Sequence, residues 1–504
     1  MATITERKKH LSMKEKYKYM TRLGWETTYQ DMDKVYPYDK FEGIKIHDWE
    51  AWEDPFRMTM DAYWKYQSEK EKKLYAIIDA FAQNNGQKNL TNANYLSALK
   101  LFIQGVSPLE YQAHRGFSHI ARHFRGDGAR VACQMQAIDE LRHSQTQIHT
   151  MSHYNKYFNG FSEFPHWHDR VWYLSVPKSF FEDARSAGPF EYILSIGFSF
   201  EYVLTNLLFV PFMSGAAFNG DMATVTFGFS AQSDEARHMT LGLQAIKFIL
   251  EQDPANVPIV QAWIDKWLWR GYRLLNLVSY MMDYMLPESP QSWKEAWELY
   301  FEENGMALFK DLERYGIKVP ECVNTIKAEK DHISHQVFLT FYSHGAAAAF
   351  HTWLPDEKKI AWLSEKYPDT FDKYYRPIIE HWKARADKGE RYYSEMLPQL
   401  CQTCQIPMLF TECEKGEPMQ YVHKQTSFKG ERYHFCSDHC QHIFENEPEK
   451  YVHAWMPVQN IFQGNCGGGT LPEVLEWYKV KFGQDNCDYI GSEDEAAFKA
   501  MQNN

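Results

Sequence analysis

Apolar residues recur every three to four positions along most of this chain, the beat of helices buried on one face. Thr59 to Phe81 reads as a long, charged amphipathic helix, followed by a polar loop from Asn84 to Thr91. Tyr95 to Phe124 predicts a helix kinked at Pro108. The run Arg125-Gly126-Asp127-Gly128 predicts a turn, and Ala129 to Tyr154 a second helix. After an irregular aromatic stretch, Asn155 to Val176, a third helix is expected from Phe180 to Phe212, broken after Pro211. A small-residue turn, Ser214 to Asp221, leads into a fourth, Met222 to Glu251. Helical patterns continue to about Met396, with interruptions near Pro287, Pro290 and Pro320. Ahead of all this, Met13 to Ala51 is mixed, with Pro37 and Gly43 as breakers. Beyond Cys401 the texture changes to short polar segments with Gly, Pro and Cys as far as Tyr451, then a loop with Gly467-Gly468-Gly469 and a short helix. The pattern divides the chain into an N-terminal extension (1–94), a helical domain (95–396), a Cys-rich module (397–455) and a tail (456–504), and the fold class is mainly α.

Composition narrows the function. The 504 residues are 44% hydrophobic and 16% aromatic, enough for a large apolar interior. The formal charge of −12 argues against nucleic acid as partner. Met1 to Tyr19 is polar and basic without the apolar stretch of a signal peptide, so a cytoplasmic location is expected. Tyr192 to Phe218 is apolar enough to mimic a membrane span, yet it contains Glu201 and Asn206 in a chain of mean hydropathy −0.54. A buried core helix is the better reading, and no membrane partner is expected. Glu201 then needs a partner of its own.

That partner is suggested by a local repeat. Asp139-Glu140-Leu141-Arg142-His143 returns as Asp234-Glu235-Ala236-Arg237-His238. Glu and His three apart share a helix face and can reach one metal ion. Asp139, Arg142, Asp234 and Arg237 point elsewhere and could brace the imidazoles from behind. Antiparallel helices joined by a short turn bring together residues equidistant from it. Reflecting the first motif through Asp127 lands beside Glu110, the only acid between Asp79 and Asp127. Reflecting Glu235 through Phe218 lands on Glu201, the only acid between Glu191 and Asp221. Four Glu and two His on four helices form the di-iron or di-manganese carboxylate pattern of a ferritin-like four-helix bundle. Oxygen and imidazole donors favour Fe or Mn over Zn or Cu. His114, His119 and His123 line the first helix near its turn, where solvated or hydrogen-bonded roles are expected.

A second cluster lies in the Cys-rich segment. Cys401-x-x-Cys404 and Cys436-x-x-x-Cys440 are spaced as a tetrahedral zinc site, with redox dithiols as the alternative and His434 and His439 as spare ligands. Tyr433 to Cys440 and Phe444 to Tyr451 resemble a small treble-clef-like metal module. Cys133, Cys322, Cys413, Cys466 and Cys487 have no such spacing and are expected to be free thiols.

With these motifs, and with Trp25-Glu26-Thr27-Thr28-Tyr29 near its start, the chain resembles the large (alpha) subunit of the soluble bacterial multicomponent di-iron monooxygenases, most of all the phenol hydroxylase branch. The resemblance implies iron ligands Glu110, Glu140 and His143 on one ion and Glu201, Glu235 and His238 on the other. It implies a catalytic role for Thr205, one turn after Glu201, in proton transfer during oxygen activation. It places Asn206 and Gln232 where a small regulatory protein exerts its effect, and lines a substrate pocket with Val106, Ala113, Phe180, Ile196, Phe200 and Phe209. The implied reaction uses O2 to hydroxylate an aromatic ring, phenol to catechol, around two Fe, with one structural Zn elsewhere. The chain has no dinucleotide fingerprint and no iron–sulfur cysteine pattern, so NADH must act through a separate FAD/iron–sulfur reductase. Beta and gamma subunits are expected to complete a dimer of three-subunit protomers. A toluene or alkene monooxygenase subunit and a di-iron acyl desaturase are the rival activities. Iron storage fits poorly, because storage bundles are short. A radical-generating reductase subunit fits poorly too, because Gln147 stands where its tyrosine would be.

Overall fold

The computed structural model describes residues 43–52, 59–158, 174–287, 289–343, 354–390, 400–407, 413–414, 417–418 and 424–454. Trp25 to Tyr29, most of the 155–176 stretch and the 456–504 tail lie outside them. Six helices build the centre: α1 (Met60–Gln83), α2 (Ala93–Ala121), α3 (Asp127–Tyr154), α4 (Ser175–Ser186), α5 (Pro189–Phe218) and α6 (Met222–Gln252). Side-chain caps from Thr59, Asn92 and Asp221 start α1, α2 and α6 by accepting from backbone N–H groups that no helical carbonyl can reach. Helix α2 packs antiparallel along α3, and α5 along α6, and the two pairs face each other as a four-helix bundle. Helix α1 runs alongside α6 and, through side chains, α3.

Both internal prolines are absorbed. Pro108 sits within continuous α2, and Pro211 within α5, which runs on to Phe218 instead of breaking. The break falls earlier, at Ala187 and Gly188, and the sharp turn comes only at Asn219–Asp221. The unexpected feature of α5 is a π-helical segment, Leu194–Tyr202. Among the described residues α5 is the one helix long and apolar enough to cross a membrane, and 83% of its apolar window is buried inside the protein, which accounts for that composition.

Helix α7 (Val257–Tyr280) closes one side of the bundle against α4 and α5. Helices α8 (293–312), α9 (Cys322–Glu329), α10 (Ile333–Ser343), α11 (Glu357–Lys366) and α12 (Arg376–Ala386) extend the layer around it. The Cys-rich segment carries two short antiparallel pairs, β1 (Cys413–Glu414) with β2 (Glu417–Pro418) and β3 (Lys424–Phe428) with β4 (Glu431–Phe435), and a helix, α13 (Asp438–Asn446). It is tied to the bundle by buried charges. Lys266 on α7 bridges Glu191 on α5 and Glu447 (2.9 and 2.5 Å). Asp183 on α4 receives Arg270, Lys450 and the Tyr451 hydroxyl.

Candidate metal centre

Each bundle helix delivers one glutamate to the interior: Glu110 from α2, Glu140 from α3, Glu201 from the π segment of α5 and Glu235 from α6, all buried. Helices α3 and α6 add His143 and His238. Nδ1 of His143 lies 3.5 Å from Glu110, 3.6 Å from Glu140 Oε2 and 3.6 Å from Glu235 Oε1. Nδ1 of His238 lies 3.3 Å from Glu140 Oε1 and 3.4 Å from Glu235 Oε2. Glu140 and Glu235 therefore turn one oxygen toward each imidazole, while Glu110 stands on the His143 side and Glu201 on the His238 side. Glu140 and Glu235 each face both imidazoles because α3 and α6 are neighbours and a carboxylate has two donor oxygens.

The two Nδ1 atoms are buried without a hydrogen-bond partner. Their Nε2 atoms are held in a crossed arrangement: His143 pairs with Asp234 at 3.1 Å and His238 with Asp139 at 3.3 Å. Each motif's aspartate thus orients the other motif's histidine, a contact that distance along one helix could not reveal. Arg142 reaches both aspartates (3.1 and 3.4 Å), as does Arg237.

Electrostatics makes the cluster unstable by itself. Burial pushes the Glu110 carboxyl up to about 8. Burial, then the neighbouring charges of Glu235 and Glu140, pushes Glu201 well above the carboxylate range. Burial also works against ionised Glu140, but the imidazoles of His238 and His143 prevail and hold it down at about 2. Four buried carboxylates facing two orphaned imidazole nitrogens suit two divalent cations, which would let all four ionise. The oxygen-and-imidazole donor set fits iron.

Several supporting residues escaped sequence reasoning. Gln136, one turn before Glu140, donates to Glu140 (3.1 Å) and to both Glu201 oxygens (2.9 and 3.0 Å). Gln147 donates to Glu110 at 3.3 Å. Helix α1 supplies a backing layer: Gln67 donates to Asp139 and Asp234 (2.8 Å each), Tyr63 to Asp139, Lys70 to Asp234, and Glu71 accepts from Arg142. The helical spacing of Gln136 could have flagged it. Nothing in the charged pattern of α1 distinguishes these residues from a solvated face.

An apolar cavity opens on the carboxylates, bordered by Glu110, Glu140, Glu201, Glu235 and Thr205. Val106, Ala113, Ile196, Phe200 and Phe209 line it as expected. Phe180 does not. It packs behind Phe200 and against Trp267 (5.6 and 5.4 Å between ring centres), and Phe181, one residue round the helix, faces the cavity instead. Thr205 is buried, with its hydroxyl 3.3 Å from the Phe200 carbonyl. Asn206 and Gln232 meet across α5 and α6 at 3.4 Å, half-buried. His119 and His123 stack edge to face near the α2 turn, and the His114 ring contacts the Ala137 carbonyl at 2.6 Å.

The four cysteines also converge. Sγ of Cys436 lies 3.6 Å from those of Cys404 and Cys440, too long for a disulfide and close to the edge of about 3.8 Å set by four Zn–S bonds. Burial and the neighbouring thiols push Cys404 and Cys440 well up, so four thiolates need a cation between them. Trp269 on α7 donates its indole N–H to Cys440 at 3.2 Å. His439 is turned away, bonded to Thr325 at 2.8 Å. Cys133 and Cys322 are buried outside the cluster, and the Cys413 side chain, Cys466 and Cys487 lie outside the described residues.

Comparison with known proteins places this arrangement. Residues 25–253 match the family model for methane/phenol/alkene hydroxylases, and residues 417–455 that for the YHS domain. The chain is 62% identical over 500 residues to the phenol 2-monooxygenase oxygenase component DmpN of Pseudomonas sp. (strain CF600), covering 99% of this chain and 96% of that one. It is 25% identical, over 94% of its length and 96% of the relative's, to the alkene monooxygenase oxygenase component alpha subunit of Xanthobacter autotrophicus. The crystal structure of xenon-pressurised phenol hydroxylase from Pseudomonas sp. OX1 superimposes with a TM-score of 0.92 at 64% identity, over 98% of this chain and all of that one.

Proposed function

The chain belongs to the methane/phenol/alkene hydroxylase family, and we propose that it is the oxygenase component of a multicomponent phenol 2-monooxygenase, converting phenol, O2, NADH and a proton to catechol, water and NAD+. The observation that carries this reading is the pair of orphaned Nδ1 atoms facing four buried carboxylates on the wall of an apolar cavity. Glu110, Glu140, His143, Glu201, Glu235 and His238 would hold two irons. Bound there, the irons supply the binding and reduction of O2.

The chain's own residues prepare the rest. Asp139 and Asp234 hold the imidazoles in the tautomer that leaves Nδ1 free to ligate. Gln136 braces Glu201 against swinging into the cavity. Val106, Ala113, Ile196, Phe200 and Phe209 exclude water and hold the ring by its faces. Small side chains at 106 and 113 leave the width that an aromatic ring needs. Thr205, on the same wall as Glu201, offers the hydroxyl through which a proton reaches the reacting oxygen.

Electrons come from NADH through a separate FAD/iron–sulfur reductase. Beta and gamma subunits complete a dimeric hydroxylase, and a small regulatory protein acts at Asn206 and Gln232. The four-cysteine site holds a structural zinc, and the enzyme works in the cytoplasm. Supplying all components with phenol and 18O2 tests the reading. Catechol carrying one labelled oxygen is expected, with no turnover when the reductase is left out. Unlabelled product, NADH-driven turnover by this chain alone, or preference for toluene or an alkene over phenol defeats it.

A further inference from the structure

A third group of metal donors lies well away from both clusters. Asp79 comes from the last two turns of α1, and His149 and His153 stand four apart near the end of α3. Asp79 Oδ1 is 2.9 Å from His149 Nε2 and 3.2 Å from His153 Nε2, and the two Nε2 atoms are 3.3 Å apart. Three donor atoms thus form a nearly equilateral triangle. A tetrahedral cation with bonds of 2.0–2.1 Å would space its ligands by about 3.3 Å.

Hydrogen bonding alone serves the triangle poorly. If both imidazoles donate to Asp79, two N–H groups converge on one carboxylate oxygen and the 3.3 Å contact between the nitrogens carries no bond. If one nitrogen keeps its lone pair for the other, its own bond to the carboxylate is lost. A single cation at the centre satisfies all three atoms at once. The backbone favours the same charge. Helices α1 and α3 run parallel, since Tyr63 meets Asp139, Glu71 meets Arg142 and Asp79 meets His149. Their C-terminal ends therefore arrive together at the triangle, and the exposed carbonyls of both ends favour a positive charge there. The Tyr75 ring stands edge-on against His149 at 4.9 Å and limits its rotation. Lys156 adds a positive charge that acts on His153.

We propose that Asp79, His149 and His153 form a separate binding site for a divalent transition metal of the zinc class, which pins the C-terminal end of α1 to α3. Two imidazoles, one carboxylate and a water toward solvent complete four-coordination. Both sides of the triangle are part-exposed, so the ion exchanges with solution. The site has a structural consequence, because α1 also carries Tyr63, Gln67, Lys70 and Glu71 behind the bundle's histidines.

The test uses the complete hydroxylase, iron-loaded and with its cysteine-bound zinc in place, dialysed free of loosely held metal. Titration with Zn2+ should reveal one further site per copy of this chain, and its occupation should raise the unfolding temperature. His149→Gln and His153→Gln, both near the surface, should each weaken that binding by more than about tenfold, the loss that even an outer partner of a metal ligand causes. Their iron content and phenol turnover should match the unaltered enzyme, which certifies the fold. With Cu2+ as probe, the spin-resonance spectrum should show coupling to two imidazole nitrogens. No additional zinc in the unaltered enzyme, or equal affinity in both variants, overturns the proposal.

Discussion

Glu201 and Gln136 show how little of a buried site is carried by charge alone. Glu201 is the one acid between Glu191 and Asp221, and burial, with the neighbouring charges of Glu235 and Glu140, holds its carboxyl well above the usual range. Gln136 is neutral and donates to both Glu201 oxygens. Replacing Glu201 by Ala should empty or disorder one metal position and abolish hydroxylation, as no other acid on α5 can substitute. Iron analysis and turnover decide this, and full iron with normal turnover in Glu201→Ala would disprove the ligand role. Gln136→Leu is a milder change. It removes a brace and not a ligand, so iron should stay bound while activity falls by about 10- to 100-fold.

At the scale of elements, the π-helical segment of α5 decides where Glu201 points. A π turn rotates the following residues relative to an α-helical course, and such turns cluster at functional sites. The segment is held against α6 by two glycines. A Cβ on Gly242 would meet the Gly197 carbonyl carbon and oxygen at 2.2 Å, and both contacts are backbone, so neither can rotate away. Gly242→Ala must therefore push α5 off α6. We expect a loss of about 1–3 kcal/mol in stability, typical of overpacking. Activity should fall further than that loss predicts, because Glu201 moves with the segment. Chemical denaturation together with turnover checks it; unaltered values for both would show that the close approach is dispensable.

For the whole molecule, the Cys-rich segment acts as a strap across α4 and α7. Asp183 is its buried anchor: Arg270 comes from α7, and Lys450 and Tyr451 from the strap. Burial opposes its charge, but Lys266, Lys450 and Arg270 outweigh this and hold its carboxyl far below the usual value. A depressed native pKa stabilises the fold above the unfolded value of about 3.9, and that contribution is lost as pH falls below it. Asp183→Asn should destabilise the protein by about 3–5 kcal/mol at neutral pH, since it leaves buried cations unpaired. The gap in unfolding temperature between variant and parent should hold above about pH 5 and narrow below about pH 4. A gap that does not vary with pH would remove Asp183 from this role. Proteolysis of the strap should rise in parallel.

The sequence by itself determined most of the helices, the six candidate ligands and the four cysteines. These depend on local spacing: a 3.6-residue beat, Glu and His three apart, and lone acids placed symmetrically about two turns. The family resemblance, taken with helical spacing to the ligands, located Val106, Ala113, Ile196, Phe200 and Phe209 on the cavity wall. It misplaced Phe180 by one residue, because a helix turns about 100° per residue and α4 is fixed only by its packing on α7. Pro211 misled in the same way, as burial of the whole helix outweighed one lost hydrogen bond. Tertiary structure alone decided which carboxylates face both imidazoles and that each aspartate serves the opposite motif's histidine. It also decided that α1 backs the centre and that the strap is tied to the bundle. Those outcomes depend on how separate helices sit against one another. A one-dimensional pattern records which face of a helix is buried, but not which side chains of its neighbours meet that face.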